Sequence, residues 1–142
     1  LCGTIPGRNG GKRVIIEKNC RIIPNVTFIC ESPSFEELAH YIRKSAFVLA
    51  PYCPDSVLSS GILMDSLSFG SKIIGPEVGS FKDYAREKRL NVYTFHDYED
   101  IEKTVACYKT TPISLEDYRS FLNENNWEHF GNRIIKLVKS LK

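Results

Sequence analysis

Apolar positions along this chain fall into four short, dense runs: NVTFI at residues 25–29, AFVLAP at 46–51, SKIIGP at 71–76 and NVYTF at 91–95. Each is rich in β-branched or aromatic residues and bounded by turn formers, which predicts buried strands. Between them the spacing changes to that of helices. In SFEELAHYIRKS, Ser34 and Glu37 stand three apart as a capping box, and Phe35, Leu38 and Ile42 fall on one predicted inward face. Further helices are predicted over about 60–69, 81–87 and 97–107, the last with Tyr98, Ile101 and Val105 inward. Ser114 is placed to cap another helix, with Leu115, Tyr118, Phe121 and Leu122 along it. After the polar NENN a final one carries Trp127, Phe130, Ile134, Leu137 and Leu141 at helical spacing.

Strands alternating with helices of this length indicate βαβ units. The predicted class is α/β, a Rossmann-like parallel sheet with helices on both faces, closed by two helices over about 114–141. A chain of 142 residues suits one domain, expected to span 1–142. Leu1 to Gly3 reads as the end of a strand whose beginning is missing, so the chain is expected to be cut from a longer protein.

Charge changes this picture little. A formal net charge of +2, with both signs interspersed, offers no basic stripe for a nucleic acid, and none is expected as a partner. The five cysteines are odd in number and widely spaced, and they never form C-x-x-C. They read as reduced thiols in a cytoplasmic protein, mostly core filler, with Cys53 as an inert loop residue. The acceptor pattern Asn25-Val26-Thr27 is read as fortuitous because a buried strand is expected to begin there. No apolar run approaches the ~18 residues of a transmembrane helix. Peripheral membrane association of a longer protein is compatible with this.

Candidate chemistry concentrates in SSGILMDSLSFGSKIIGP, residues 59–76. In an open parallel sheet, ligands sit beyond the carboxyl ends of the strands, where helices begin. A helix opening at Gly61 would point the unpaired backbone N–H groups of Gly61, Ile62 and Leu63 outward, with Ser59 and Ser60 adding hydroxyls: a seat for a phosphate. Asp65, one turn along, could accept hydrogen bonds from a ribose. The plainer alternative is that Ser-Ser-Gly merely caps the helix. The loop 75–80, containing Gly79, could shape the same rim or be an ordinary turn. His40, His96 and His129 lie on separate elements without the partners of a triad or a metal site, and the stripe from Trp127 to Leu141 is expected to pack in the core or between domains.

These residues resemble the C-terminal domain of GT-B glycosyltransferases of the kind called glycosyl transferases group 1. Glu36-Glu37-Leu38, Tyr41-Ile42, Ser45-Ala46, Pro51-Tyr52, Ser60-Gly61, the helix 65–70, Lys72-Ile73-Ile74 and Val78-Gly79-Ser80 follow the family's order and spacing. The resemblance implies a domain that holds a nucleotide-diphosphate sugar, with an N-terminal domain of the same chain holding the acceptor. It places the diphosphate on the backbone at Ser60 to Leu63 and the ribose on Asp65. It implies retaining hexosyl transfer without a metal or other cofactor. The sequence departs from the family's E-x7-E pattern: Val57 stands at the first glutamate's place and Asp65 at the second's, while Asp55 is out of register. Arg8, Lys12 and Arg13 only superficially match the family's cationic pair; Arg8 and Lys12 are given at most a minor role near the donor loop. No catalytic residue is assigned. The competing readings are a Rossmann-like binding or scaffold module without catalysis, favoured by Val57 and Asp65, and another GT-B enzyme such as a nucleotide-sugar epimerase.

Overall fold

The structure is a computed structural model that describes residues 2–3, 24–29, 32–52 and 60–141. They group into two compact units, Leu1–Leu38 and Ala39–Lys142. In the first, β1 (Cys2–Gly3) and β2 (Thr27–Phe28) pair in parallel, Cys2 opposite Thr27. Asn25 precedes β2 in a turn, exposed and at φ 67°. Burial therefore does not rule out the Asn25 acceptor pattern, contrary to the sequence argument.

The capping box forms as the spacing requires. The Ser34 N–H donates to Glu37 Oε2 at 2.8 Å and the Glu37 N–H to Ser34 Oγ at 3.2 Å. The bond from the Ser34 backbone, then that from its hydroxyl, holds the Glu37 carboxyl below its ordinary value. They open α1 (Phe35–Lys44). Of its predicted face, Ile42 is buried and Leu38 half-buried, with Ala39 buried beside them, whereas Phe35 is 61% exposed. Phe35 stands in the first turn, before the face that Ala39 and Ile42 turn to the core.

The second unit is an open parallel sheet in the order β3 (Val48–Leu49), β4 (Ile73–Pro76), β5 (Val92–Phe95), flanked by helices. The register sets Val48 opposite Ile73 and Ile73 opposite Val92. All three predicted apolar runs become strands, shorter than the runs themselves. Between β3 and β4 lies α2 (Gly61–Ser68), and between β4 and β5 lies α3 (Gly79–Ala85). β4 is buried at every position, as the central strand of a covered sheet should be. Around it Leu63, Leu67, Ile73, Phe81, Leu90, Val92 and Tyr118 form the core.

Two glycines are required by this arrangement. α2 ends in a Schellman turn, the Gly70 N–H bonding Leu67 O at 3.1 Å and the Ser71 N–H bonding Ser66 O at 2.9 Å. Gly70 takes φ +74°, a left-handed conformation that glycine adopts without strain. At Gly75 a Cβ would lie 2.3 Å from the Phe81 ring, so the absent side chain is what lets the fully buried Phe81 close over β4.

Beyond β5 come α4 (Asp100–Tyr108), α5 (Leu115–Glu124) and α6 (Trp127–Ser140). Ser114 caps α5 as expected, accepting the Asp117 N–H at 3.1 Å. Tyr118 is its buried residue, and its hydroxyl meets Ser68 Oγ at 3.1 Å. Two inward assignments fail. Tyr98 lies before α4, exposed, with its ring 5.4 Å from that of Phe95, and no residue of α4 is buried. No residue of α6 is buried either, and Trp127 is 85% exposed, so its stripe is not core. Cys107 is an exposed free thiol rather than filler.

Candidate functional site

Because β3, β4 and β5 are parallel, their carboxyl ends share one rim, and α2, α3 and α4 all begin there. Each helix start offers unpaired N–H groups and the positive end of a dipole. They differ in what already occupies them.

At α4 the chain supplies its own anions. Asp100 and Glu102 stand in the first turn, and Asp100 Oδ2 accepts the Asp97 N–H at 3.3 Å while Oδ1 takes Lys103 Nζ at 3.2 Å. The backbone bond from Asp97, then the Lys103 bond, holds the Asp100 carboxyl below its ordinary range. Neither α2 nor α3 has an acidic residue in its first turn.

At α2 the N-cap is Ser60, extended at φ −138° and ψ 115°, yet its side chain makes no cap bond. The buried hydroxyl instead donates to Tyr52 Oη, a long contact of 3.5 Å. The N–H groups of Gly61, Ile62 and Leu63 therefore receive nothing from Ser60, which weakens the plain capping reading of Ser-Ser-Gly. Leu63 is a core side chain and Ile62 packs against the core, so both can serve a ligand only through their backbone. Gly61 is exposed, and a Cβ built on it would meet nothing within 4 Å. Neither packing nor backbone conformation requires glycine there, and its absent side chain leaves the helix start open to a bulky group. The Asp65 carboxylate, half-buried one turn along, has no hydrogen-bond or ion-pair partner among the described residues.

At α3 the N-cap is Val78, which has no capping side chain. Gly79 follows at φ +51°, and Ser80 Oγ is buried without a hydrogen-bond partner among the described residues. The loop is tied down from both sides, the Glu77 N–H bonding Phe95 O at 3.0 Å and the Val78 N–H bonding Pro76 O at 2.7 Å. Lys82, one turn along α3, pairs loosely with Glu77 at 3.9 Å.

The residue that joins the two open helix starts is Tyr52, which the sequence reading did not place in the site. Its hydroxyl meets Ser60, and its ring centroid lies 6.2 Å from that of Phe81. An aromatic three residues after β3, on the rim where the strands end, was the available signal. Ser59, Arg8, Lys12 and Arg13 lie outside the described residues, as do Cys53, Asp55 and Val57. His40, His96 and His129 are exposed on separate elements. Among the described residues no group of three His, Cys, Asp or Glu is placed to hold a metal, and no helix is long and apolar enough to cross a membrane.

The arrangement can take an anion on backbone amides and a diol on a carboxylate. No family model, no curated protein and no solved structure matches the chain.

Proposed function

We propose that this chain binds the donor of a glycosyl transfer, a nucleotide-diphosphate sugar, as the C-terminal half of a GT-B glycosyltransferase. One observation carries the reading. The N-terminus of α2 is left uncapped by Ser60 and unobstructed at Gly61, with the carboxylate of Asp65, one turn beyond, unpaired among the described residues. The diphosphate sits on the N–H groups of Gly61, Ile62 and Leu63, and Asp65 accepts the ribose hydroxyls. The start of α3 at Gly79 borders the sugar. As the glycosidic bond to the diphosphate breaks, negative charge grows on the leaving oxygens. Fixed amides and a helix dipole stabilise that charge without a reorganisation cost. An acceptor-binding domain of the same polypeptide completes the enzyme.

The test is a calorimetric titration of the whole protein with UDP, GDP, UDP-glucose and GDP-mannose. One nucleotide is expected to saturate. Asp65→Ala weakens it about tenfold, the loss of a hydrogen-bonded pair. Gly61→Ala weakens binding as well while leaving the thermal midpoint unchanged or raised, since the new methyl meets no protein atom. Binding indifferent to both substitutions, or no binding of any of the four, overturns the reading.

A further inference from the structure

Ser60 stands where a helix ordinarily takes a capping hydroxyl and does not supply one. Its backbone is extended, as an N-cap requires, and the residue is only 7% exposed. A serine so placed accepts the N–H of the second or third helical residue, here Ile62 or Leu63. Ser114 does this at α5, accepting the Asp117 N–H at 3.1 Å, and Asn126 at α6, accepting the His129 N–H at 2.9 Å. Ser60 instead turns its proton to Tyr52 Oη at 3.5 Å, and its oxygen meets neither amide. Tyr52 is held from two other directions. Its N–H donates to Ala50 O at 2.9 Å in a γ-turn around Pro51, and the Ala50 N–H is itself fixed on Ile74 O at 2.9 Å. Its ring leans on the fully buried Phe81, the centroids 6.2 Å apart. The end of β3 and the core therefore set where the tyrosine hydroxyl lies, and the serine follows it.

We infer that Tyr52 is a positioning residue: it draws the Ser60 hydroxyl off its own helix and so keeps a serine cap from closing the Ile62 and Leu63 amides. The inference deepens the nucleotide-sugar reading and rests on it for the purpose of the device. A capping oxygen and a phosphate oxygen compete for the same N–H groups, so a helix start that receives a diphosphate is better without its cap. The arrangement lowers folding stability and preserves affinity for an anion. Released from Tyr52, a buried hydroxyl needs another partner, and the amides of the first turn are the groups an N-cap side chain reaches.

Tyr52→Phe, Ser60→Ala and the double variant, made in the whole protein, close a cycle that tests this. The phenylalanine keeps the ring on Phe81 and removes only the hydroxyl. Without ligand, Tyr52→Phe is expected to raise the thermal midpoint by a few degrees and to slow amide exchange at Ile62 or Leu63, because the freed serine caps α2. Neither change should appear when Ser60→Ala is already present. A tyrosine that merely supported the fold would lower the midpoint on losing its hydroxyl. With UDP and GDP as probes, Tyr52→Phe weakens the nucleotide that binds about fivefold, and the double variant matches Ser60→Ala. A midpoint unchanged or lowered in Tyr52→Phe overturns the inference. So does an affinity loss of the same size in the Ser60→Ala background, because Tyr52 would then touch the nucleotide itself. If neither nucleotide binds the wild type while Tyr52→Phe still raises the midpoint through Ser60, the role of Tyr52 is supported and the nucleotide-sugar reading falls.

Discussion

The two ends of the parallel sheet treat their polar groups in opposite ways. Where the strands begin, polar groups are spent on one another. Lys72, buried just before β4, donates to Tyr108 O and Lys109 O at 2.7 Å each, closing the carboxyl end of α4, and its ammonium lies 5.3 Å from the Phe47 ring centre. Tyr93 and Tyr108 stack beside it at 4.2 Å, and burial pushes the Tyr93 phenol above its ordinary value. Arg89, leading into β5, bridges Glu87 and Glu124. Where the strands end, the N-cap residues of α2 and α3 make no side-chain cap bond, and Ser80 Oγ and the Asp65 carboxylate lack partners among the described residues. Among the described residues, the fold satisfies a buried cation fully at one end and leaves its candidate ligand-binding groups at the other.

Substitutions should separate the two ends. The largest effect belongs to Lys72→Met, which keeps the stem but strips two carbonyls of their donor. It is expected to cost about 1–3 kcal/mol in urea unfolding while nucleotide affinity stays within error. A loss of affinity with unchanged stability would merge the two ends. Next come the paired serines. Ser114→Ala removes a cap that is made and should cost about 1 kcal/mol, whereas Ser60→Ala removes one that is not and should cost less than half of that. Equal costs in parallel denaturation curves would show that Ser60 caps α2 after all.

The smallest effect is the pH dependence of the Arg89 bridge. The bond from Arg89, then that from Ser120, lowers the Glu124 carboxyl from its ordinary 4.5 to about 2. A depressed carboxyl stabilises the folded state fully above its unfolded value and loses that contribution as pH falls through the folded one. Thermal midpoints should therefore drop between about pH 4.5 and 2. Glu124→Gln should flatten that drop slightly and leave the rim untouched. The effect stays small because Glu124 is about half exposed.

Much of this was legible in one dimension, for reasons particular to each element. The Ser34 capping box and the Ser114 cap are local, made between residues three apart, and both form. The apolar runs at 71–76 and 91–95 became β4 and β5 because covered strands need little beyond such a run. Inward faces were less legible. Phe35 and Tyr98 satisfy helical spacing, but Phe35 stands at the first turn of α1, short of where Ala39 and Ile42 meet the core, and Tyr98 falls before α4 begins. The apolar face of α6 has the pattern of a core helix and buries nothing, because periodicity records that a face is apolar and not what covers it. Within the site, Gly61 and Asp65 were visible from the turn they follow. Tyr52 was not, since its role rests on reaching Ser60 and Phe81 together.

By itself, the sequence determined the alternation of strand and helix, the caps, and the helix start that opens on the rim. All of these depend on residues within a few positions of one another. Only the tertiary structure decided that Gly75 gives way to the Phe81 ring and that Lys72 closes α4 from thirty-six residues away. It also decided that Ser60 turns to Tyr52 and makes no side-chain cap bond to its own helix. Each of these is a choice among partners that spacing along the chain permits equally, made by which groups the packed core brings within reach.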